Sequence, residues 1–282
     1  MNQNWQRFTY PSLEDLKQAK EQSHQAIQNV AAVGRSFLEE SPNDEHANLE
    51  WDTKLQRLVG RWVQADVTFR SSISIYDFKV YLVDEAFRTI SSIAMEGATQ
   101  TDVMVWLEQQ LGELGADFSK INLDYPYDLP EYFSTSRATF GIANSQASRE
   151  LSRLYHNTLL MLEEVLSKEE KTTPIKCWPH HFDIAGSIIR LDTGDPETSK
   201  QIGVGMSPGD EHYDEPYFYV APWPYPVKDL PDISDTRGHW HKNNWIGAVL
   251  PYSQLVELDL IQDQIRVIKT FYETAIHGLK NL

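Results

Sequence analysis

The chain has 282 residues, 41% of them hydrophobic and 23% charged, enough to bury a sizeable core in one large domain or two small ones. Its 25 basic and 41 acidic residues give a formal net charge of −16, which repels phosphate backbones and argues against nucleic acid and anionic membrane as partners. Cys177 is the only cysteine, so an intrachain disulfide framework and Cys-rich zinc or iron-sulfur sites are excluded.

Residues 1–10 (MNQNWQRFTY) lack the basic start, apolar stretch and small-residue cleavage site of a secretory signal. No run approaches the roughly 18 apolar residues of a membrane span, so the expectation is a soluble, cytoplasmic protein. Ser12 with Asp15 three residues on is a capping-box-like start. Leu13, Leu16, Ala19, Ile27, Val30, Val33 and Phe37 then recur at helical spacing, predicting a long helix that stops before Ser41-Pro42-Asn43-Asp44.

Val67 to Ile73 and Ile75 to Val83 are rich in β-branched and aromatic residues with partial period-two alternation and read as strands. Thr99, Thr101 and Asp102 can cap a helix to about Leu114, with Gly115 as its stop. Phe118 to Leu123 reads as a short strand, and the two prolines of Tyr125 to Pro130 predict an ordered loop. Asn144 or Ser145 opens a doubly striped helix to about Ser167.

Ile175 to Leu191 and Gln201 to Met206 read as strands around the turn-rich Asp192 to Pro196. Tyr217 to Val220 reads as an edge strand, because prolines crowd the stretch that follows it. Pro222 to Pro226 reads as a rigid surface loop, and His239 to Leu250 as a last strand. Ser253 is expected to cap a terminal helix whose 3-4 spacing fits ordinary core packing better than a coiled-coil dimer. Helices and strands without regular βαβ alternation predict an α+β fold: an antiparallel or mixed sheet covered by several helices. The expected organisation is an N-terminal helical arm over 1–42 and a single α+β domain over 43–282.

Five of the nine histidines lie between His180 and His241, together with Asp183, Asp210, Glu211, Asp214 and Glu215. If Cys177 to Ile189 is one strand, period two puts His181 and Asp183 on a shared face. The same count puts His239 and His241 on one face of the last strand, and an H-x-H pair on a strand can aim two imidazoles at one metal. His181, Asp183, His239 and His241 are therefore the expected ligands of a divalent metal, Zn, Mn or Fe. Asp210 and Glu215 are the expected catalytic carboxylates, Glu215 as general base of a metal-assisted hydrolysis.

Six aromatics fall between Tyr213 and Tyr225, and Tyr217, Tyr219 and Trp223 offer flat apolar faces with polar handles, which suit a sugar or aromatic ligand. A serine-hydrolase elbow is not expected. Gly205-Met206-Ser207-Pro208-Gly209 has its spelling, but Pro208 lacks the backbone N–H that would complete an oxyanion hole. Cys177 reads as a small buried hydrophobe.

The stretches Trp178-Pro179-His180-His181-Phe182-Asp183-Ile184-Ala185, Ser207-Pro208-Gly209-Asp210, Glu215-Pro216-Tyr217-Phe218-Tyr219-Val220 and Pro222-Trp223-Pro224-Tyr225-Pro226 resemble a family of conserved bacterial proteins without an assigned function. That resemblance covers about Leu151 to Pro226 and carries over no catalytic residue. The functional expectation is a metal-dependent, hydrolase-like enzyme acting on a small molecule. The alternatives are a non-catalytic small-molecule or carbohydrate-binding module using the Tyr/Trp-rich loop, and an acidic protein-interaction domain. No oligomeric state follows from the sequence.

Overall fold

A computed structural model describes residues 4–9, 11–41, 44–123, 127–129, 138–195 and 198–282. The fold is α+β, with two antiparallel sheets and helices near both ends of the chain. By its contacts the chain divides into two compact units. One unit comprises Pro11–Ser152 with Cys177–Phe182, and the other Met1–Tyr10, Arg153–Lys176 and Asp183–Leu282. Among the described residues no helix is long and apolar enough to cross a membrane.

In the first unit, α1 (Leu13–Phe37) starts where the sequence predicts, with the Ser12 side chain accepting from the Asp15 N–H at 3.1 Å. It packs on the central strand of a five-stranded sheet ordered β1 (Glu50–Asp52), β2 (Arg57–Val59), β3 (Phe69–Ser74), β4 (Lys79–Asp84) and β5 (Thr89–Ala94). The Ser71 hydroxyl on β3 donates to the Val30 carbonyl of α1 at 3.0 Å, so the helix belongs to this unit's core. The second predicted strand starts four residues late, because 75–78 form a turn in which Phe78 takes a positive φ of 49°. The turn carries no glycine or asparagine to announce it.

Helix α2 (Gln100–Glu113) begins with a complete Thr99–Asp102 capping box and ends just before Gly115, whose φ is +76°. Residues 118–123 form no strand; Phe118–Lys120 is a 3-10 turn started by the Asp117 carboxylate accepting from the Ser119 N–H at 3.0 Å. Half of the predicted Tyr125–Pro130 loop, residues 125, 126 and 130, lies outside the described residues. Helix α3 (Ser145–Leu166) matches its predicted bounds within a residue.

The other sheet has six strands, five of which lie within the second unit. Its order is β10 (His239–His241), β11 (Gly247–Pro251), β9 (Tyr217–Trp223), β8 (Lys200–Ser207), β7 (Asp183–Leu191) and β6 (Lys176–Trp178). Strand β9 is therefore interior, not an edge. It pairs with β11 only over Tyr217–Val220, so Pro222 falls beyond the end of β11 and pairs only with Ile202 of β8. The expected strand over Cys177–Ile189 is split by a turn at 179–182, closed by the Phe182 N–H on the Trp178 carbonyl at 2.7 Å with Phe182 at φ 56°. His239–Leu250 is likewise a hairpin, β10 and β11 around 242–246.

Ser253 does not cap the long terminal helix. It opens the one-turn α4 (Ser253–Val256), and α5 (Ile261–Lys280) starts separately after Leu260. Helix α5 covers one face of the sheet. Ile184, Ile188, Ile202, Val204, Met206, Phe218, Val220, Ala248 and Leu250 are buried on that face, and Ile268, Phe271, Tyr272 and Ala275 are buried on the helix.

Candidate functional site

The sheet face turned away from α5 carries the polar and aromatic residues, as period two requires of Tyr217 and Tyr219 once Phe218 is buried on Tyr272. Tyr217 and Tyr219 both give their phenolic protons to carboxylates on this face: Tyr217 to Asp210 Oδ2 at 2.5 Å, Tyr219 to Asp183 Oδ2 at 2.6 Å. Burial first, and then the paired carboxylate, push both phenols well above the ordinary tyrosine value, so they remain protonated donors.

Gly205 makes the second pair possible. A Cβ at that position would lie 2.7 Å from the Tyr219 hydroxyl, 2.7 Å from Ala185 Cβ and 2.7 Å from the Ile184 carbonyl, while the Gly205 carbonyl accepts from Tyr272 at 2.8 Å. Gly205→Ala is expected to destabilise the protein by about 1–3 kcal/mol through overpacking, read as a lower urea midpoint at unchanged slope. An unaltered midpoint would show that the strands have room to part here.

His239 and His241 share a face of β10, as the H-x-H spacing predicts, and what lies between them is a phenol. The Tyr213 hydroxyl sits 3.0 Å from His239 Nε2 and 3.0 Å from His241 Nδ1, and His241 Nε2 lies 2.6 Å from the Asn243 carbonyl. Trp245 stacks on His241 at 4.5 Å with 24° between planes, and also lies 6.3 Å from Tyr217 at 25°. The His212 ring is 5.2 Å from His241, and Tyr213 is 4.8 Å from Tyr217. His239 is exposed at the margin of this cluster, and burial together with His241 lowers its basicity. Tyr213 is shifted up, mainly by burial and next by Asp210.

The expected catalytic carboxylates hold backbone. Asp210 Oδ1 accepts from the His212 and Tyr213 N–H groups at 2.8 and 3.1 Å, which folds the 207–213 loop and sets Tyr213 between the histidines. Glu215 takes the N–H of Ser253 at 2.7 Å and its hydroxyl at 3.0 Å, fixing the start of α4. Trp223 lies on the same sheet face as Tyr217 and Tyr219 but further along β9. It is 36% exposed and in edge contact with Tyr225 at 5.6 Å, away from the His–Tyr cluster by strand register.

His181 lies in the 179–182 turn, which belongs to the other contact unit, so it does not share a strand face with Asp183. There it contacts His180 at 4.3 Å, near the buried His24. Among the described residues no group of three or more His, Cys, Asp or Glu side chains is arranged to hold a metal ion. A cation between His239 and His241 would have to displace the Tyr213 hydroxyl that both nitrogens now engage.

Sequence reasoning did not single out Tyr213 as the group between the two histidines, and it passed over Trp245. The available signal for Trp245 was Asn243-Asn244, a turn pair after H-W-H that folds the next aromatic back over the strand; Asn244 has φ 66°. Comparison with family models, with curated proteins and with solved structures finds no match to this chain.

Proposed function

We propose that the sheet face turned away from α5 is a small-molecule binding site centred on His239, Tyr213, His241 and Trp245. The observation that carries this reading is the fixed triad: a phenol held between two imidazoles at 3.0 Å each, backed by a stacked indole, with one imidazole exposed. A site pre-organised in this way orients a ligand without paying ordering entropy at the moment of binding. The reading moves the binding surface from Tyr217, Tyr219 and Trp223 to their neighbours. Tyr217 and Tyr219 serve beneath it, because their hydroxyls are spent on Asp210 and Asp183.

The test follows the imidazole resonances of His239 and His241 while monosaccharides (glucose, galactose, mannose, N-acetylglucosamine), indole, acetate and phosphate are added separately. At least one probe class is expected to shift both resonances in the wild-type protein, and to do so several-fold less in Trp245→Ala. Resonances that stay still with every probe would remove the reading.

A further inference from the structure

Resting on that binding reading, the hydrogen-bond directions in the triad identify the chemistry of the ligand. A backbone carbonyl only accepts, so the 2.6 Å contact to Asn243 requires an N–H on His241 Nε2. In a neutral imidazole the other nitrogen is then a bare acceptor, and His241 Nδ1 takes the Tyr213 hydroxyl proton. That hydroxyl has one proton, now spent, so at its 3.0 Å contact with His239 it accepts, and His239 Nε2 carries the N–H. His239 Nδ1 is left as a lone pair on an exposed residue.

We infer that the ligand of this site is an uncharged hydroxyl-bearing molecule of the monosaccharide class, which docks by donating an O–H to His239 Nδ1. A carboxylate offers only acceptors and would meet a lone pair, and phosphate, which keeps an O–H at about pH 8, brings a negative charge with it. The charge of either would also meet Asp210 within the cluster, Glu211 beside His212 at 3.5 Å and Asp214 on the same loop, against Lys242 alone in the β10–β11 loop. His212, Tyr217 and Trp245 are the remaining polar or aromatic groups around the triad, and Trp245 supplies the flat surface that the C–H face of a sugar ring packs against.

Two readouts test this. Long-range proton–nitrogen correlation on the imidazole rings at about pH 8, where histidine is neutral, is expected to find both His239 and His241 with the proton on Nε2. Tyr213→Phe is expected to release His239 to a mixture of tautomers while leaving His241 fixed by Asn243. Addition of the monosaccharides should then shift His239 Nδ1 several-fold more than acetate or phosphate does. A His239 ring protonated on Nδ1, or a tautomer indifferent to Tyr213→Phe, overturns the inference whatever binds. Shifts from acetate or phosphate without shifts from the sugars overturn it too and leave the binding reading standing, whereas silence from all probes overturns both.

Discussion

Lowering the pH from about 7.5 to about 4.5 should remove about 2.5 kcal/mol of stability through His24 alone. Its ring is buried on α1, stacked on Phe182 at 5.3 Å with 11° between planes, and bonded through Nε2 to the Pro179 carbonyl at 2.8 Å. Burial, with Lys20, His181 and His180 nearby, holds its pKa down to about 4 against the ordinary 6.5. Because the folded value is the lower one, the unfolded chain binds the extra proton more readily. The contribution is complete above pH 6.5 and is lost as pH falls through 6.5 towards 4.

His180, also held down to about 4 by burial and by His181, adds to the loss in the same direction, by less because water screens its half-exposed ring. The check is urea unfolding at both pH values in the wild type and in His24→Gln. Gln28 Nε2 also bonds the Pro179 carbonyl, at 2.8 Å, so that acceptor keeps a partner in the variant. The variant should show a markedly flatter pH dependence; equal slopes in the two proteins would mean that His24 is not the group being titrated.

Phe218→Ala should cost about 3–5 kcal/mol, the range for emptying a buried aromatic position. Phe218 is fully buried in the interior strand β9, with Tyr272 edge-on at 6.1 Å and Phe8 tilted at 6.4 Å, so truncation leaves a void bounded by two aromatic rings that α5 and the N-terminal segment hold in place. Trp223→Ala, on the same strand but 36% exposed, should stay within about 0.5 kcal/mol of wild type, as surface changes do. Urea midpoints for the two variants decide the matter, and similar losses from both would refute the burial argument.

Helices α1 and α2 were legible because their start signals are local. Ser12 and Thr99 accept from the N–H groups three residues on, as their spacing predicts, and α3 keeps its predicted face. Two strand ends were misread where the chain turns without glycine or asparagine: Phe78 and Phe182 adopt positive φ, and no propensity marks a phenylalanine for that. The position of β9 was hidden for another reason. Which strand lies beside it depends on β11, thirty residues later, and β11 ends before it reaches Pro222.

Within the candidate site, period two sufficed to pair His239 with His241. The identity of the group between them depended on the 207–213 loop, whose path is fixed by Asp210 accepting backbone N–H groups rather than by any pattern of hydrophobicity. His181 was misplaced with the Phe182 turn, since one unannounced reversal undoes the face arithmetic of every residue beyond it.

The division of the chain bears on how it emerges from a ribosome. Residues 4–9 contribute to the second unit through bonds that span almost the whole polypeptide: the Phe8 N–H to Gln264 Oε1 at 3.0 Å, and the Tyr252 hydroxyl to the Thr9 carbonyl. The first unit in turn takes Cys177–Phe182 from far downstream of its main segment. Vectorial synthesis therefore delivers the opening residues long before their partners exist, and neither unit has all its contacts until a later segment arrives. A fragment cut after residue 152 lacks the turn that stacks on His24, and one starting at residue 153 lacks the segment that packs Phe8 against Tyr252. Closing the loop between Phe8 and Gln264 carries an entropic cost that grows with the logarithm of the residues enclosed.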